Sequence, residues 1–256
     1  MNGFSPFLKK EFFELYRKGR LLLFGILFVF FGIEAPALAK LTPALFKMMS
    51  DEFEQQGVII KDVTSTAATS WEQFFGNLPV ILIVFVIVFA GSVTSEFSSG
   101  SIIPLLTKGL SRTAFMLSKL TSALITWSAG LWLCFGITYG YTAFYWKDSS
   151  VTSVLPAVLL WWLFSVMVIC VMFFFASLAS THIQVLIGTG CVVFAMSLLG
   201  FTQSIKKYLP SALTDGMDLC TGKKSVSDML PAIIITAALA LISAAFGMIL
   251  INKKKI

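Results

Sequence analysis

Charged residues are scarce in this chain. Only 12% of its 256 residues are Asp, Glu, Lys or Arg, whereas 57% are hydrophobic. Globular soluble domains carry about 25% charged residues, so this composition excludes a water-soluble domain. Several apolar runs instead approach or exceed the ~20 residues that a helix needs to cross the core of a bilayer. We therefore expect an all-α integral membrane protein.

Histidine and cysteine are also scarce. The chain has one histidine and four cysteines. Cys134, Cys170 and Cys191 fall inside apolar runs, and only Cys220 lies in a segment that we expect to face the exterior. This arrangement provides neither a disulfide framework nor the ligand spacing of a zinc site. We predict no disulfide and no metal site.

Six apolar runs are long enough to be spanning helices. The third of them covers 31 residues, or ~46 Å at 1.5 Å per residue, and so exceeds the ~30 Å hydrocarbon core. We expect this helix to tilt, kink or project beyond the membrane. The six predicted spans are Leu21–Ala39, Leu78–Val93, Phe115–Tyr145, Leu155–Ala179, Gln184–Phe201 and Leu230–Ile251.

Lysine and arginine gather on one side of the expected membrane. Six crossings place both termini and the loop between the second and third spans on the same side. That side carries eleven basic residues and three acidic ones, whereas the other carries eight lysines and ten acidic residues. Because basic residues favour cytosolic loops, both termini are predicted to be cytosolic. The eleven are Lys9, Lys10, Arg17, Lys18, Arg20, Lys108, Arg112, Lys119, Lys253, Lys254 and Lys255.

We expect a single transmembrane domain over residues 1–256, with four segments outside the spans. Residues 1–20 are predicted to form an amphipathic helix on the inner leaflet, because apolar residues recur every three or four positions. Residues 40–77 form an extracellular loop with aromatic anchors, 94–114 a cytosolic segment and 202–229 an extracellular hairpin. The apolar face of the first helix comprises Phe4, Phe7, Leu8, Phe12 and Leu15, and the anchors are Trp71, Phe74 and Phe75.

The first span allows more than one interpretation. A basic region, an apolar run and Ala37-Leu38-Ala39 together resemble a cleaved secretory signal, but Glu34 and Pro36 interrupt that pattern and favour an uncleaved span. Glu34 lies ~20 Å into the span. An acid at that depth is costly, which makes Glu34 a candidate substrate-binding residue. The alternative is a carboxylate that reaches water near the outer end of the helix.

The segment between the second and third spans has its own apolar pattern. Ser95 or Ser98 could cap a helix, and Lys108 and Arg112 flank an apolar stretch. An apolar face exposed to the cytosol calls for a partner protein. The residues that would form this face are Ile102, Ile103, Leu105, Leu106 and Leu110.

At these residues the sequence resembles the permease subunits of ABC-2-type transporters. In that family a cytosolic coupling helix between spans two and three carries Glu, then Gly-Thr or Gly-Ser, a Leu-rich run, Ser-Arg and a Lys that begins the third span. The matching residues here, in order, are Glu96, Gly100-Ser101, Leu105-Leu106, Ser111-Arg112 and Lys119. The chain departs from the family at Gly109, where Pro is common, and at Pro104, which would kink or end a helix unless it lies in the first turn.

The resemblance implies the membrane subunit of an ATP-driven exporter in a bacterial plasma membrane. The chain has no G-x-x-x-x-G-K-[ST] motif, so ATP and Mg²⁺ would bind a separate ATPase subunit, and this chain would not be an enzyme. The other implied partners are a second permease chain, membrane lipids and a cargo that partitions into membranes. Compact permeases of this kind in Gram-positive bacteria export bacteriocins and phenol-soluble modulins, whereas nucleic acid is not an expected partner. The ATPase-binding residues would be Glu96, Gly100, Ile102, Ile103, Leu105, Leu106, Arg112 and Lys119.

Two other classes of function fit the sequence less well than a transporter. An intramembrane serine protease would need a serine and a histidine at matching depth, and neither Ser128 nor His182 is placed for that role. An ATP-independent channel or receptor would leave the apolar cytosolic segment without a purpose. The stretch Gly136-Ile137-Thr138-Tyr139-Gly140 permits close helix contact, either with a second chain or within one chain.

Overall fold

The computed structural model describes residues 3–54, 65–107, 109–147 and 151–254, and within these ranges all regular structure is helical. Six helices are long and apolar enough to cross a membrane, namely α2, α3, α5, α6, α7 and α10. The prediction of an all-α membrane protein with six spans is confirmed. In chain order the helices are α1 (Phe4–Arg17), α2 (Arg20–Glu54), α3 (Ala67–Ser98), α4 (Ile103–Thr107), α5 (Arg112–Tyr145), α6 (Val154–Leu178), α7 (His182–Leu199), α8 (Gln203–Lys206), α9 (Gly216–Cys220) and α10 (Leu230–Lys253).

The first two spanning helices are longer than predicted on the side away from the termini. Helix α2 continues beyond Ala39 through Pro43, and α3 begins well before Leu78, after the N-cap Thr66. Much of the predicted loop over residues 40–77 is therefore helical where it is described. The three aromatic residues expected to anchor this loop at the interface instead belong to the protein core: Trp71 is 3% exposed, Phe74 1% and Phe75 6%.

Helix α5 is the centre of the bundle. It contacts α1, α2, α3, α6 and α10, while the most extensive helix pair is α6 with α10. The Trp127 ring of α5 packs edge-on against Phe28 of α2 and Phe85 of α3, and its indole N–H donates to Ser165 of α6 at 2.6 Å. This hydrogen bond satisfies a buried polar group that would otherwise be costly in the membrane.

Close helix contact occurs at glycines other than those predicted. A Cβ atom added at Gly130 of α5 would lie 2.0 Å from the Phe28 ring, and one at Gly32 of α2 would lie 3.1 Å from the Cys134 carbonyl oxygen. Gly136 and Gly140, in contrast, have no described atom within 4 Å of an added Cβ. Helix α5 therefore packs against α2 through Gly130 and Gly32, and Gly136 and Gly140 make no close contact within the described chain.

Both ends of the chain meet at the start of α5. Helix α1 packs against α5, and the C-terminal end of α10 accepts hydrogen bonds from Arg112, the first residue of α5. We call this side of the bundle, which also carries α4, the terminal face. Residues 202–229 cap the opposite side with α8, α9 and two 3₁₀ turns, and the cap is held by Trp161 of α6, whose indole N–H donates to the Thr214 carbonyl.

Cys220 lies within this cap but does not face solvent. Cys220 is 1% exposed, and burial raises the pKa of its thiol to about 11. Cys220 is covered because α9 packs against α6 and α3, and its position on the exterior side stays a prediction. Lys223, three residues later, is exposed.

The charge distribution predicts how the two faces are oriented. In a background without native cysteines, Lys223→Cys should react with a membrane-impermeant maleimide in intact cells, because the less basic side is expected outside. Lys9→Cys, on the exposed side of α1, should react only after lysis and serves as the opposite-side control. Labelling of Lys9→Cys in intact cells would reverse the predicted topology.

Candidate functional site

The connection between α3 and α5 is built by local signals at each of its turns. Gly100 follows the end of α3 with φ +68°, and Gly109 follows α4 with φ +91°, a backbone region that glycine adopts without strain. Pro104 occupies the first turn of α4, where its missing N–H leaves no helical hydrogen bond unmade. Ser111 then caps α5 by accepting the Ala114 N–H at 3.2 Å. Lys108 lies outside the described residues.

The predicted apolar face divides into a buried part and an accessible part. Ile102 is 0% exposed and packs in the core, so it cannot contact another protein directly. Ile103 is 46% exposed, and Leu105 and Leu106 are partly buried against the core. A small apolar surface on α4 consequently remains open, formed by Ile103, Leu105 and Leu106.

A buried ion-pair network joins the two helices that flank α4. The Lys119 ammonium is 2.6 Å from Glu96 Oε1 and 2.9 Å from Glu11 Oε2, and its side chain is only 3% exposed. Lys10 of α1 joins the same network, 3.5 Å from Glu96 and 2.7 Å from Glu14. The network therefore ties α1 to the end of α3 and the start of α5.

Two of the motif residues thus have partners inside the chain. We predicted that Glu96 and Lys119 belong to a surface that contacts an ATPase, but Glu96 is 8% exposed and Lys119 is 3% exposed. Because buried charges are costly unless they are paired, these residues hold the α3–α4–α5 connection in place instead of presenting charge to a partner.

Glu11 is the network member that the sequence analysis missed. It lies between Phe7 and Leu15 at spacings of four residues, so it falls in the middle of the apolar face of α1. An acid in that position signals a buried cation elsewhere in the fold. Part of this face is covered by protein, since Phe7 packs on Phe115 of α5 with ring centroids 5.5 Å apart and Leu15 is buried. That α1 lies on the inner leaflet stays a prediction.

Arg112, which we also predicted to contact a partner, instead caps a helix. Its Nη1 donates to the carbonyl oxygens of Ile251 at 3.4 Å and Asn252 at 3.2 Å, and also to that of Lys254. Lys254 in turn donates to Ala176 and Ala179 at the end of α6, at 2.9 and 2.6 Å. Cations at helix C-termini satisfy free carbonyls and the helix dipole, so the start of α5 is linked through α10 to α6.

The pKa shifts at the edge of the network follow from the same contacts. Burial raises the pKa of Glu14, but hydrogen bonds from Lys10 and Lys18 outweigh it and lower that pKa to about 2. Burial lowers the pKa of Lys10, whereas the hydrogen bond with Glu14 and the charges of Glu96 and Glu11 raise it further than burial lowers it. Burial alone lowers the pKa of Lys254.

Three carboxylates of the network could in principle ligate a metal. Oxygens of Glu11, Glu14 and Glu96 lie within 4.8 Å of one another. The ammonium groups of Lys10, Lys18 and Lys119 already pair with these carboxylates at 2.5–3.5 Å. A divalent cation would have to displace those lysines, so the cluster is better described as an ion-pair network in which Glu96 Oε2 has no hydrogen-bond partner.

The remaining candidates lie away from the terminal face. Glu34 accepts a hydrogen bond from the Asn77 side-chain amide of α3 at 2.5 Å. Ser128 accepts one from the Trp162 indole at 2.9 Å. His182, the first residue of α7, lies beside Gly91 of α3, whereas Ser128 lies on α5 and is bound to Trp162 of α6. These two residues do not form a hydrolytic pair.

A family model described as "Protein of unknown function (DUF2705)" matches residues 37–256. The chain belongs to this DUF2705 family. The DUF2705 match includes α3 to α10, hence Glu96, α4, Arg112 and Lys119, whereas α1 with Glu11 precedes it. No curated protein and no solved structure matches the chain.

Removing the cation at the centre of the network should destabilise the fold. Lys119→Met leaves Glu11 and Glu96 buried with only their longer contacts to Lys10, at 3.4 and 3.5 Å, for which we expect a loss of about 3–5 kcal/mol in the free energy of unfolding. Lys10→Met, whose side chain is 42% exposed, should cost at most about 1 kcal/mol. Both are measured by denaturant unfolding in detergent.

A neutral replacement of the whole triad tests the same explanation. Lys119→Met combined with Glu11→Gln and Glu96→Gln removes the unpaired charges and should restore most of the lost stability. A triple variant as unstable as Lys119→Met would show that the charges are not the cause.

The depressed pKa of Glu14 predicts an acid-dependent loss of stability. Because the folded-state pKa is about 2 and the ordinary value is 4.5, the contribution of ionised Glu14 is complete above the ordinary value and disappears as the pH falls toward 2. The melting temperature of the wild type should therefore exceed that of Glu14→Gln at pH 7, and the gap should narrow at pH 3. An equal gap at both pH values would contradict this origin.

Proposed function

We propose that this chain is the membrane subunit of an ATP-driven exporter whose energy comes from a separate ATPase subunit. The observation that carries the proposal is the accessible apolar surface of α4, formed by Ile103, Leu105 and Leu106, on a short helix held between two spanning helices. Apolar groups presented outside the membrane on a rigid base are typical of a protein-binding surface.

The contacts beneath α4 support a role in transmitting force. A partner that moves α4 would displace the ends of α3 and α5 together, because Lys119 of α5 is bound to Glu96 of α3. The same displacement would reach α10 through Arg112 and α6 through Lys254. Rigid-body movement of packed helices is an established way of coupling one site to another.

The chemistry of ATP hydrolysis would belong to the partner. The chain has no phosphate-binding G-x-x-x-x-G-K-[ST] sequence, and ATP with Mg²⁺ would bind the ATPase. Its surface would need an apolar groove that accepts α4. Closure of two such ATPase subunits on ATP would then move two permease chains. The complex would therefore contain a homodimer of this chain and two ATPase subunits.

The composition of the chain supports an apolar or amphipathic cargo. The spanning helices expose many large apolar side chains, and α7 and α10 are the least buried of them. The basic excess near the termini favours a plasma membrane with the terminal face, and hence α4, in the cytosol. We infer that the cargo is an amphipathic peptide or another molecule that partitions into the membrane and is moved outward.

Acidic substitutions on α4 test the proposal. Leu105→Asp with Leu106→Asp should abolish co-purification of an ATPase, because charge on this surface cannot enter an apolar groove. Ile103→Asp is the milder variant, since Ile103 is the most exposed of the three, and it should reduce co-purification at least tenfold. ATP hydrolysis by the purified complex is measured in parallel.

The control adds the same charge elsewhere on the terminal face. Ser5→Asp with Ser98→Asp places two carboxylates at exposed positions outside α4 and should leave co-purification unchanged. Unchanged ATPase recovery with Ile103→Asp, in protein that is still inserted in the membrane, would refute the proposed docking surface.

A further inference from the structure

Glu34 lies within the predicted first span, nearer to the end farther from the termini. Helix α2 rises ~30 Å from Arg20 to Lys40, so Glu34 is ~21 Å from Arg20 and ~9 Å from Lys40 along the axis. The Lys40 ammonium lies 3.9 Å from the centre of the Tyr145 ring at the end of α5.

The negative charge of Glu34 is not neutralised within the described protein. Its hydrogen-bond partner, the Asn77 amide, is a neutral donor, and no lysine or arginine among the described residues forms an ion pair with it. The other partly buried acids differ in this respect: Glu11, Glu96 and Asp215 each contact lysine ammonium groups.

We propose that Glu34, oriented by Asn77, binds a cationic group of an amphipathic molecule in the half of the membrane away from the termini. Membrane-embedded acids in general pair with a cation or mark a path for a charged ligand. Glu34 is only partly covered by protein, so a ligand has access to the carboxylate. An ammonium or guanidinium group on an apolar body satisfies both the charge and the surrounding hydrocarbon.

The pair is placed where such a molecule could lie along α3. Two turns before Asn77, Tyr139 and the nearly buried Trp71 border a cleft of about 340 Å³, which Lys147 also lines. The cleft and the carboxylate are ~9 Å apart along the helix axis. The cleft offers room for the apolar body of such a molecule, whereas Glu34 supplies the charge that its cationic group needs. That this ligand is a transported cargo rests on the proposed function, whereas its binding does not.

The experiment uses the purified full chain in phosphatidylcholine nanodiscs without any ATPase. The probe is a fluorescent amphipathic peptide with several lysines, and its counterpart has every lysine acetylated, which removes the charge. Wild type should bind the cationic probe about tenfold more tightly than the acetylated one. Glu34→Gln, which can still accept the Asn77 hydrogen bond, should abolish this preference.

Matched variants separate a binding site from general charge attraction. Glu72→Gln removes an exposed acid near the start of α3 and should keep the full preference. Retention of the preference by Glu34→Gln, or equal binding of both probes by wild type, would overturn the proposal and leave the pair as a tether between α2 and α3. If Glu34→Gln aggregates, Asn77→Lys decides: its ammonium would occupy the Glu34 carboxylate, so loss of the preference supports the site, and full retention refutes it.

The outcome is independent of the ATPase experiment. A chain that fails to bind an ATPase can still bind the cationic probe, and that pair of results would refute the exporter while keeping the site. Loss of probe preference in Glu34→Gln with normal ATPase co-purification is the result expected when both proposals hold.

Discussion

The contact of Lys119 with Glu11 and Glu96 is the interaction on which the terminal face depends. Three helices that are far apart in sequence converge on one ammonium group that is almost completely buried. Desolvating this group is costly, and the two carboxylates, together with the Phe115 ring 5.2 Å away, offset that cost. The same contact fixes α1 against the bundle and holds the ends of α3 and α5 at the separation that α4 bridges.

This arrangement changes the meaning of the conspicuous residues between the second and third spans. Glu96, Arg112 and Lys119 have the charges expected of a recognition motif, yet all three are bound to other parts of the chain. What remains for a partner is the apolar side of a five-residue helix. This separation of a charged base from an apolar contact surface suits the proposed docking of an ATPase on α4.

The two sides of the bundle also differ in their electrostatics. On the terminal face, acids and lysines neutralise one another in a network, and cations cap the ends of α10 and α6. On the opposite side, Glu34 has a neutral partner and stays uncompensated. A carboxyl group in a predicted span without a cationic partner among the described residues is the more informative of the two arrangements, because packing alone gives no reason to retain it.

Hydrophobic run length determined the six spans, because a bilayer demands satisfied backbone hydrogen bonds over about 20 residues and leaves few alternatives to a helix. The sequence alone therefore fixed the all-α class and the centres of the helices, including the long α5. The sequence alone could not show which face of α1 is covered. It also could not show that Lys119 pairs with Glu11 and not with solvent, or that Gly130, and not Gly136, contacts a neighbouring helix. Those outcomes depend on how helices distant in sequence are rotated about their axes and packed together. The pattern of polar and apolar residues along the chain does not specify that relative rotation.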